Sequence, residues 1–443
     1  MNKLKEKLKK ISSILNEKQR RIVFAAEAER LSRGGKSQIS SKYILLLIFV
    51  CCLFGCKKTS QKLIHISENQ IGNAEYVISV LPPKDFSQFD LTPYLDTVKY
   101  VVLELTDESL IASIDKIVIY EDHIYILDTK TRSLFVFDMD GTFVHKIARV
   151  GQGPGDYTQI DFFDIDRENK QIVLTDLMAY WVMRYDLDGK FINKQKIPVW
   201  CEGVSILPNK GLVLYSNFRN NSDKLAKEYN LIYLDSAMNF KQAYFPYNYK
   251  DFNPRPQPSA SIGGQFFASE EHLNFIFPGG NTVFQITGDS LINKYQFDFG
   301  KDILPIENPI NPNQFTEQLR KRYNGFLTPV MENEQMLFFT MQTNIDLPLR
   351  FGYTVYYSKG SRNMLSSFLF MVENLFNLNF PQTCYNSWIV SVMESYSLIE
   401  WKEKFPKEQI ASTGSNTKAL LALAEKLTDE DNPVLMFFKL KPF

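Results

Sequence analysis

Histidine and cysteine are scarce in this sequence, four and five residues among 443, and each scarcity closes off a class of chemistry. The histidines, His65, His123, His145 and His272, form no HExxH pair, so the pattern offers no helix-borne zinc hydrolase site. Cys51, Cys52 and Cys56 crowd into one apolar run while Cys201 and Cys384 stand far apart, which leaves no CxxC zinc spacing and no disulfide framework. A P-loop and a GxSxG nucleophile elbow are both missing. The apolar run Tyr43 to Gly55 spans 13 residues, short of the roughly 20 that a helix needs to cross a bilayer. Nor is there a basic surplus. The formal charge is zero, but residues 1–55 hold 12 Lys+Arg and 4 Asp+Glu, leaving 38 basic against 46 acidic residues from Cys56 onward, a net of −8. That sign excludes nucleic acid as the expected partner, because phosphate binding needs a basic face that releases counterions.

What stands in place of a membrane span is a short leader. YILLLIFVCCLFG follows Lys36 and Lys42 and runs into Cys56. Its length suits a signal-peptide core, and Leu53-Phe54-Gly55-Cys56 resembles the lipobox of bacterial lipoproteins, in which the cysteine is acylated and becomes the mature N-terminus. The resemblance implies lipidation at Cys56, with membrane attachment through that lipid. Lys57 after the cysteine implies the outer membrane, with the periplasmic leaflet preferred over the cell surface. Ahead of the run, Leu15 to Ser40 (LNEKQRRIVFAAEAERLSRGGKSQIS) resembles the N-terminal region of an insertion-element transposase family. It carries nothing catalytic and gives no warrant for DNA binding. The expected organisation is therefore a basic extension at 1–42, outside the mature protein, a signal core and lipobox at 43–56, a linker at 57–89 and one domain at 90–443.

That domain is written in repeats. Phe137-Asp138-Met139-Asp140-Gly141 recurs 48 residues on as Tyr185-Asp186-Leu187-Asp188-Gly189, and Tyr233-Leu234-Asp235 falls another 48 on. Leu127-Asp128 and Thr175-Asp176 keep the same offset. Within a unit, short alternating apolar runs are separated by turn residues every eight to ten positions, and Asp-Gly supplies the positive φ of a hairpin. Four strands per repeat of this length is a propeller blade. The expected fold is all-β, a six-bladed β-propeller with blades near 110–150, 157–197, 203–246, 262–299, 327–370 and 385–441. A helical excursion is expected at Asn308 to Arg322 and a helix at Thr417 to Leu427. Strand Val434 to Leu440 is expected to pair with Val98 to Leu105, closing the ring and removing open sheet edges.

The stretch LDTKTRSLFVFDMDGTFVHKIARVGQGPGDY (Leu127 to Tyr157) and the ending DNPVLMFFKLK resemble the six-bladed β-propeller lipoproteins common in Bacteroidetes, whose strand pattern is similar to NHL propellers. The resemblance runs from about Asp90 to Leu440 and implies a fold; that family has no established activity.

Gly151-Gln152-Gly153-Pro154-Gly155-Asp156-Tyr157 opens no helix and Pro154 lacks a donor, so it reads as a blade crossover, with Gln152 and Tyr157 as the side chains that would touch a ligand. The Asp-x-Asp-Gly blocks do not make calcium loops, since Phe143 and Arg149 occupy the sixth and twelfth places. Tyr180, Trp181 and Trp200, with Phe218 and Arg219, group aromatics with a guanidinium, a composition that marks contact patches as well as cores. The preferred reading is a non-catalytic binding or scaffold module for a glycan, peptide or envelope protein, with no cofactor and no catalytic residue assigned. The alternative is a metal-dependent lyase or hydrolase of the NHL or lactonase type, with calcium or zinc on the axis held by side chains such as Asp176, His272 and Asn281.

Overall fold

The structure is a computed structural model that describes residues 73–80, 83, 88–221, 223, 228–252, 266–268, 273–276, 280–288, 290–300, 325–326, 330–342, 352–372, 376–377 and 381–443. The basic extension, Cys56, His272 and the expected excursion at Asn308 to Arg322 lie outside these residues.

Among the described residues, six antiparallel blade sheets follow one another along the chain, with a seventh, three-stranded sheet beside them. Blade 1 comprises strands Lys116–Tyr120, His123–Asp128, Ser133–Asp138 and Phe143–Ile147, and blade 2 comprises Phe162–Asp166, Gln171–Asp176, Trp181–Asp186 and Phe191–Lys196. Blade 3 runs from Gly203–Ile206 to Phe240–Pro246, blade 4 from Phe266–Ala268 to Ser290–Asp298, and blade 5 from Gly325–Phe326 to Met364–Ser367. Blade 6 is composite: Pro381–Tyr385, Trp388–Met393 and Val434–Leu440 are completed by Leu95–Val102 from the front of the domain. The first strands of blades 1 to 4 are successive neighbours, Pro381–Tyr385 lies beside both Met331–Glu332 and Lys116–Tyr120, and blades 4 and 5 share an apolar cluster, so the sheets form a closed six-bladed propeller. The closing strand is the expected one, shifted three residues toward the N-terminus.

The core is divided as this geometry requires. Alternate residues of a strand face opposite sides of its sheet, and here both sides are covered by another blade. In blade 1, Ile117, Ile119, Ile124, Ile126, Phe135 and Phe137 face blade 6 and meet Val390, Val392, Leu435 and Phe437. Val118, Tyr125, Leu127, Leu134 and Val136 face blade 2 and meet Phe163, Leu174 and Met183. The described apolar side chains fall into six buried clusters, one for each seam between neighbouring blades. Each fully buried large side chain there contributes on the order of 1.5–3 kcal/mol.

The repeated Asp-x-Asp-Gly block has two jobs. It closes the hairpin between third and fourth strands, where the Asp138 amide donates to Thr142 O and the Gly141 amide donates to Asp138 O, with Gly141 at φ +94°. A one-residue bulge follows between Val136 and Phe137, and blade 2 repeats it between Arg184 and Tyr185. The turn also abuts the outer strand of the preceding blade. A Cβ on Gly141 would stand 2.0 Å from Val102 O, and Gly189 packs against Ile147 and His145.

Residues 76–79 and 88–89, expected within a linker, belong to the strands Tyr76–Ser79 and Gln88–Asp90. Tyr76–Ser79 adds to blade 4 in parallel beside its outer strand, and Gln88–Asp90 pairs in parallel with Leu369–Val372, next to blade 5. With Leu95–Val102 these segments form a strap along the rims of blades 4, 5 and 6. Ile78 and Val80 from the strap enter the seam between blades 4 and 5. Between the second and third strands of blade 6, helices α1 (Ser395–Lys404) and α2 (Ser415–Ala424) cover the seam with blade 5 through Leu398, Leu420 and Ala424.

Candidate functional site

Antiparallel order sorts the connections. Turns joining first to second and third to fourth strands lie at one end of the blades; turns joining second to third strands, and the crossovers between blades, lie at the other. This second end holds the candidate residues. Of the eleven large apolar side chains exposed among the described residues, seven belong to its connections: Leu105, Leu110, Val150, Met178, Trp200, Tyr396 and Ile410.

The crossover from blade 1 to blade 2 is organised around its own acid. Asp156 accepts the Gly153 amide at 2.9 Å and faces Arg149 at 3.5 Å. A Cβ at Gly151 or Gly153 would approach its carboxylate to 2.5 or 2.8 Å. Tyr157, expected to touch a ligand, is 1% exposed. Its hydroxyl accepts the Arg149 amide at 2.9 Å and lies 3.0 Å from Arg132 O and 3.1 Å from Ile147 O, and burial pushes its pKa up to about 12. Tyr157 therefore secures the loop from inside, and Gln152 is the exposed member of the pair.

Along the same end of blade 2 the structure brings together a band of rings and cations. Tyr180 and Trp200 meet edge to face, centroids 4.2 Å apart at 71°. The Lys196 Nζ lies 6.0 Å from the Tyr180 centroid and 4.7 Å from that of Trp181, and Lys194 Nζ lies 4.9 Å from Trp181. Each ammonium donates to one carbonyl, Lys196 to Ala179 at 2.5 Å and Lys194 to Asp156 at 2.7 Å. These distances are those of cation–π contacts. Trp200 is 37% exposed and Met178, in the turn that carries Tyr180, is 73% exposed.

Several devices hold the band in place. Tyr180 has φ +56°, matching Arg132 at +55° in the equivalent turn of blade 1, so the left-handed position belongs to the repeat. The Asn221 side chain, itself fully buried, accepts the Trp200 amide at 2.8 Å and donates to Trp200 O at 3.0 Å, which fixes the backbone from which the indole projects. Beyond Trp200, Glu202 takes Arg219 through Nη2 at 3.0 Å and Nε at 3.1 Å, and also accepts a hydrogen bond from the Asn217 side-chain Nδ2. Arg219 is thus held in an ion pair, while Phe218 is buried against Tyr247. Asn217 and Phe218 are consecutive residues at positive φ, +47° and +55°, a conformation that costs on the order of 1–3 kcal/mol per non-glycine residue and collects at functional sites.

Lys194, Lys196, Glu202 and Asn221 were not singled out by sequence. The lysines share a face with Trp181 because of the bulge between Arg184 and Tyr185: it sets Trp181 opposite Lys196, where unbroken pairing from Tyr185 and Phe191 would set it opposite Gln195. Asp176 and Asn281, considered for an axial metal, serve local structure. Asp176 accepts Thr158 through its amide and hydroxyl and the Ala179 amide, and Asn281 donates to Phe297 O. Among the described residues no group of three His, Cys, Asp or Glu side chains converges. Cys201 and Cys384 form no disulfide and lie in separate parts of the ring, and burial pushes Cys201 up to about 12.

Residues 76–439 match, as one stretch, a family described as a domain of unknown function. No curated protein matches. Among solved structures, a protein of Bacteroides fragilis NCTC 9343 described by name as exported gives a TM-score of 0.64 at 19% identity, covering 83% of this chain and 100% of that one. A member of the DUF4221 family from Bacteroides vulgatus gives 0.43 at 10%, covering 78% and 97%. A streptogramin B lyase gives 0.35 at 11%, covering 67% and 81%. The likeness to the first is one of fold.

Proposed function

The chain belongs to the DUF4934 family, and from that membership and the geometry above we propose that it is a non-catalytic binding or scaffold propeller of the cell envelope. Its partner is a glycan, peptide or envelope protein, met at the end of the blades formed by the crossovers. The observation that carries this reading is the gathering of exposed apolar side chains in the connections of that end, with the ring-and-cation band among them. A rigid ring of sheets that presents its loops at one end suits recognition. The exported relative from Bacteroides fragilis and the lipobox-like Leu53-Phe54-Gly55-Cys56 support export and a lipid anchor at Cys56, at the outer membrane.

Two measurements test the proposal. Labelled palmitate should enter the wild-type chain and not the Cys56→Ala chain; equal labelling would remove the anchor. Screening of glycan and peptide arrays should return ligands whose binding is lost on Met178→Asp at the crossover end and kept on Ile192→Asp on the outer strand of blade 2. The reverse dependence, or turnover of a bound lactone together with stoichiometric calcium or zinc, would overturn the binding reading in favour of another surface or an enzyme.

A further inference from the structure

We infer that the band formed by Trp200, Tyr180, Lys196, Trp181 and Lys194 is a binding track for an anionic polysaccharide; this rests on the binding reading above and names the ligand's chemistry. Two adjoining rings, Trp200 and Tyr180, lead into an alternation of ammonium and ring, with Lys196 near both Tyr180 and Trp181 and Lys194 beyond Trp181. The alternation fits a chain of pyranose units. One face of a pyranose is a patch of C–H bonds that stacks on an aromatic ring, while its rim carries hydroxyls and, in acidic sugars, a carboxylate or sulfate. Each ammonium gives one of its three protons to a backbone carbonyl, leaving donors for an acid. At the far end the Glu202–Arg219 pair and the exposed Gln152 at the near end supply hydrogen-bonding groups of the kind hydroxyls require.

The surroundings favour a sugar over an acidic peptide. An extended peptide draws much of its affinity from main-chain bonds to a strand edge. The outer strand here, Phe191–Lys196, carries Lys194 and Lys196 and follows Lys190, and lysine on an edge resists strand addition. From Cys56 onward the chain has a net charge of −8, so a polyanion would be drawn to this band by local cations and rings together, and not by the charge of the molecule as a whole.

The test uses the full chain in detergent and isothermal calorimetry with polygalacturonate and dextran sulfate, each against its neutral counterpart, carboxyl-reduced polymer and dextran, and against poly-L-glutamate. The expected result is binding to at least one anionic polysaccharide that exceeds binding to its neutral counterpart and weakens with added salt. Trp200→Ala and the pair Lys194→Ala with Lys196→Ala should each weaken it by about tenfold or more, while Lys241→Ala on blade 3 leaves it unchanged. Uronate and sulfate are separated by which polymer binds. Trp200→Phe and Lys196→Gln, checked for unchanged melting, guard against loss through misfolding. Absence of binding to both polyanions, equal binding to the neutral polymers, or poly-L-glutamate binding that matches the sugars and ignores Trp200→Ala would each overturn the inference. If neutral glycans or peptides still bind through Met178, the track fails while the binding propeller stands.

Discussion

His145 stands on the outer strand of blade 1 with its ring against the turn of blade 2, and its protonation is tied to that contact. Its Nε2 lies 2.9 Å from Leu187 O; a carbonyl only accepts, so the proton sits on Nε2 and Nδ1 is left buried without a partner. Burial, outweighing the nearby Asp188, lowers its pKa from the ordinary 6.5. The unfolded chain therefore binds a proton at a pH where the folded one does not, and stability held above about pH 6.5 declines as pH falls toward the folded value. His145→Gln keeps a donor for Leu187 without the titration, so denaturant midpoints of this variant should fall less between pH 7 and 5.5 than those of the wild type; parallel profiles would deny the linkage. At this scale the sequence is a partial guide. Tyr180, Trp181 and Trp200 were legible as a group because aromatics at a blade end are conspicuous. Tyr157, expected to touch a ligand, is buried, and its hydroxyl meets backbone atoms of Arg149, Arg132 and Ile147, a role that a tyrosine beside three glycines does not announce in sequence. Asn221 gave no signal, because a side chain that holds another residue's backbone has no spacing to reveal it.

Among elements, the hairpins were the most legible and the strap the least. Asp-x-Asp-Gly announces a turn, and the 48-residue offset announces that the turn recurs. In blade 3 the motif decays: Met238 occupies the left-handed position at φ +63°, with the Asp235 carbonyl still accepting the Met238 amide, so the conformation outlasts the glycine. Helix α2 was visible in the run from Thr417, while α1 was not, its apolar residues being too few for a clear stripe. The strap escaped because Tyr76–Ser79 and Gln88–Asp90 are four and three residues long and pair in parallel with strands more than two hundred residues away. It is nonetheless part of the core. Ile78 and Val80 are 3% and 0% exposed and share a cluster with Phe297 and Phe339. Ile78→Ala should lower the unfolding free energy by about 2–4 kcal/mol in urea titrations with an unchanged slope. A loss below about 0.5 kcal/mol would mean that the strap is an accessory to the seam.

For the molecule as a whole, the six seams make every blade both a support and a dependant. No blade has a face of its own to leave open, since the residues that fill one seam alternate with those that fill the next. The count of blades followed from the period and the chain length. The face used for binding could not be read the same way, because it is made by connections whose lengths vary while the strands repeat. The composite sixth blade has a further consequence, which concerns time. Leu95–Val102 is near the front of the domain and Val434–Leu440 near its end, yet they are hydrogen-bonded neighbours. A chain that emerges from a ribosome or an export channel front end first delivers the outer strand of the last blade more than three hundred residues before its partner. Until then that strand has an unsatisfied edge, and the circle has a gap where blade 6 belongs. Completion of the fold therefore waits on delivery of the last strand, and the wait is a period in which a holding chaperone has a well-defined object to protect.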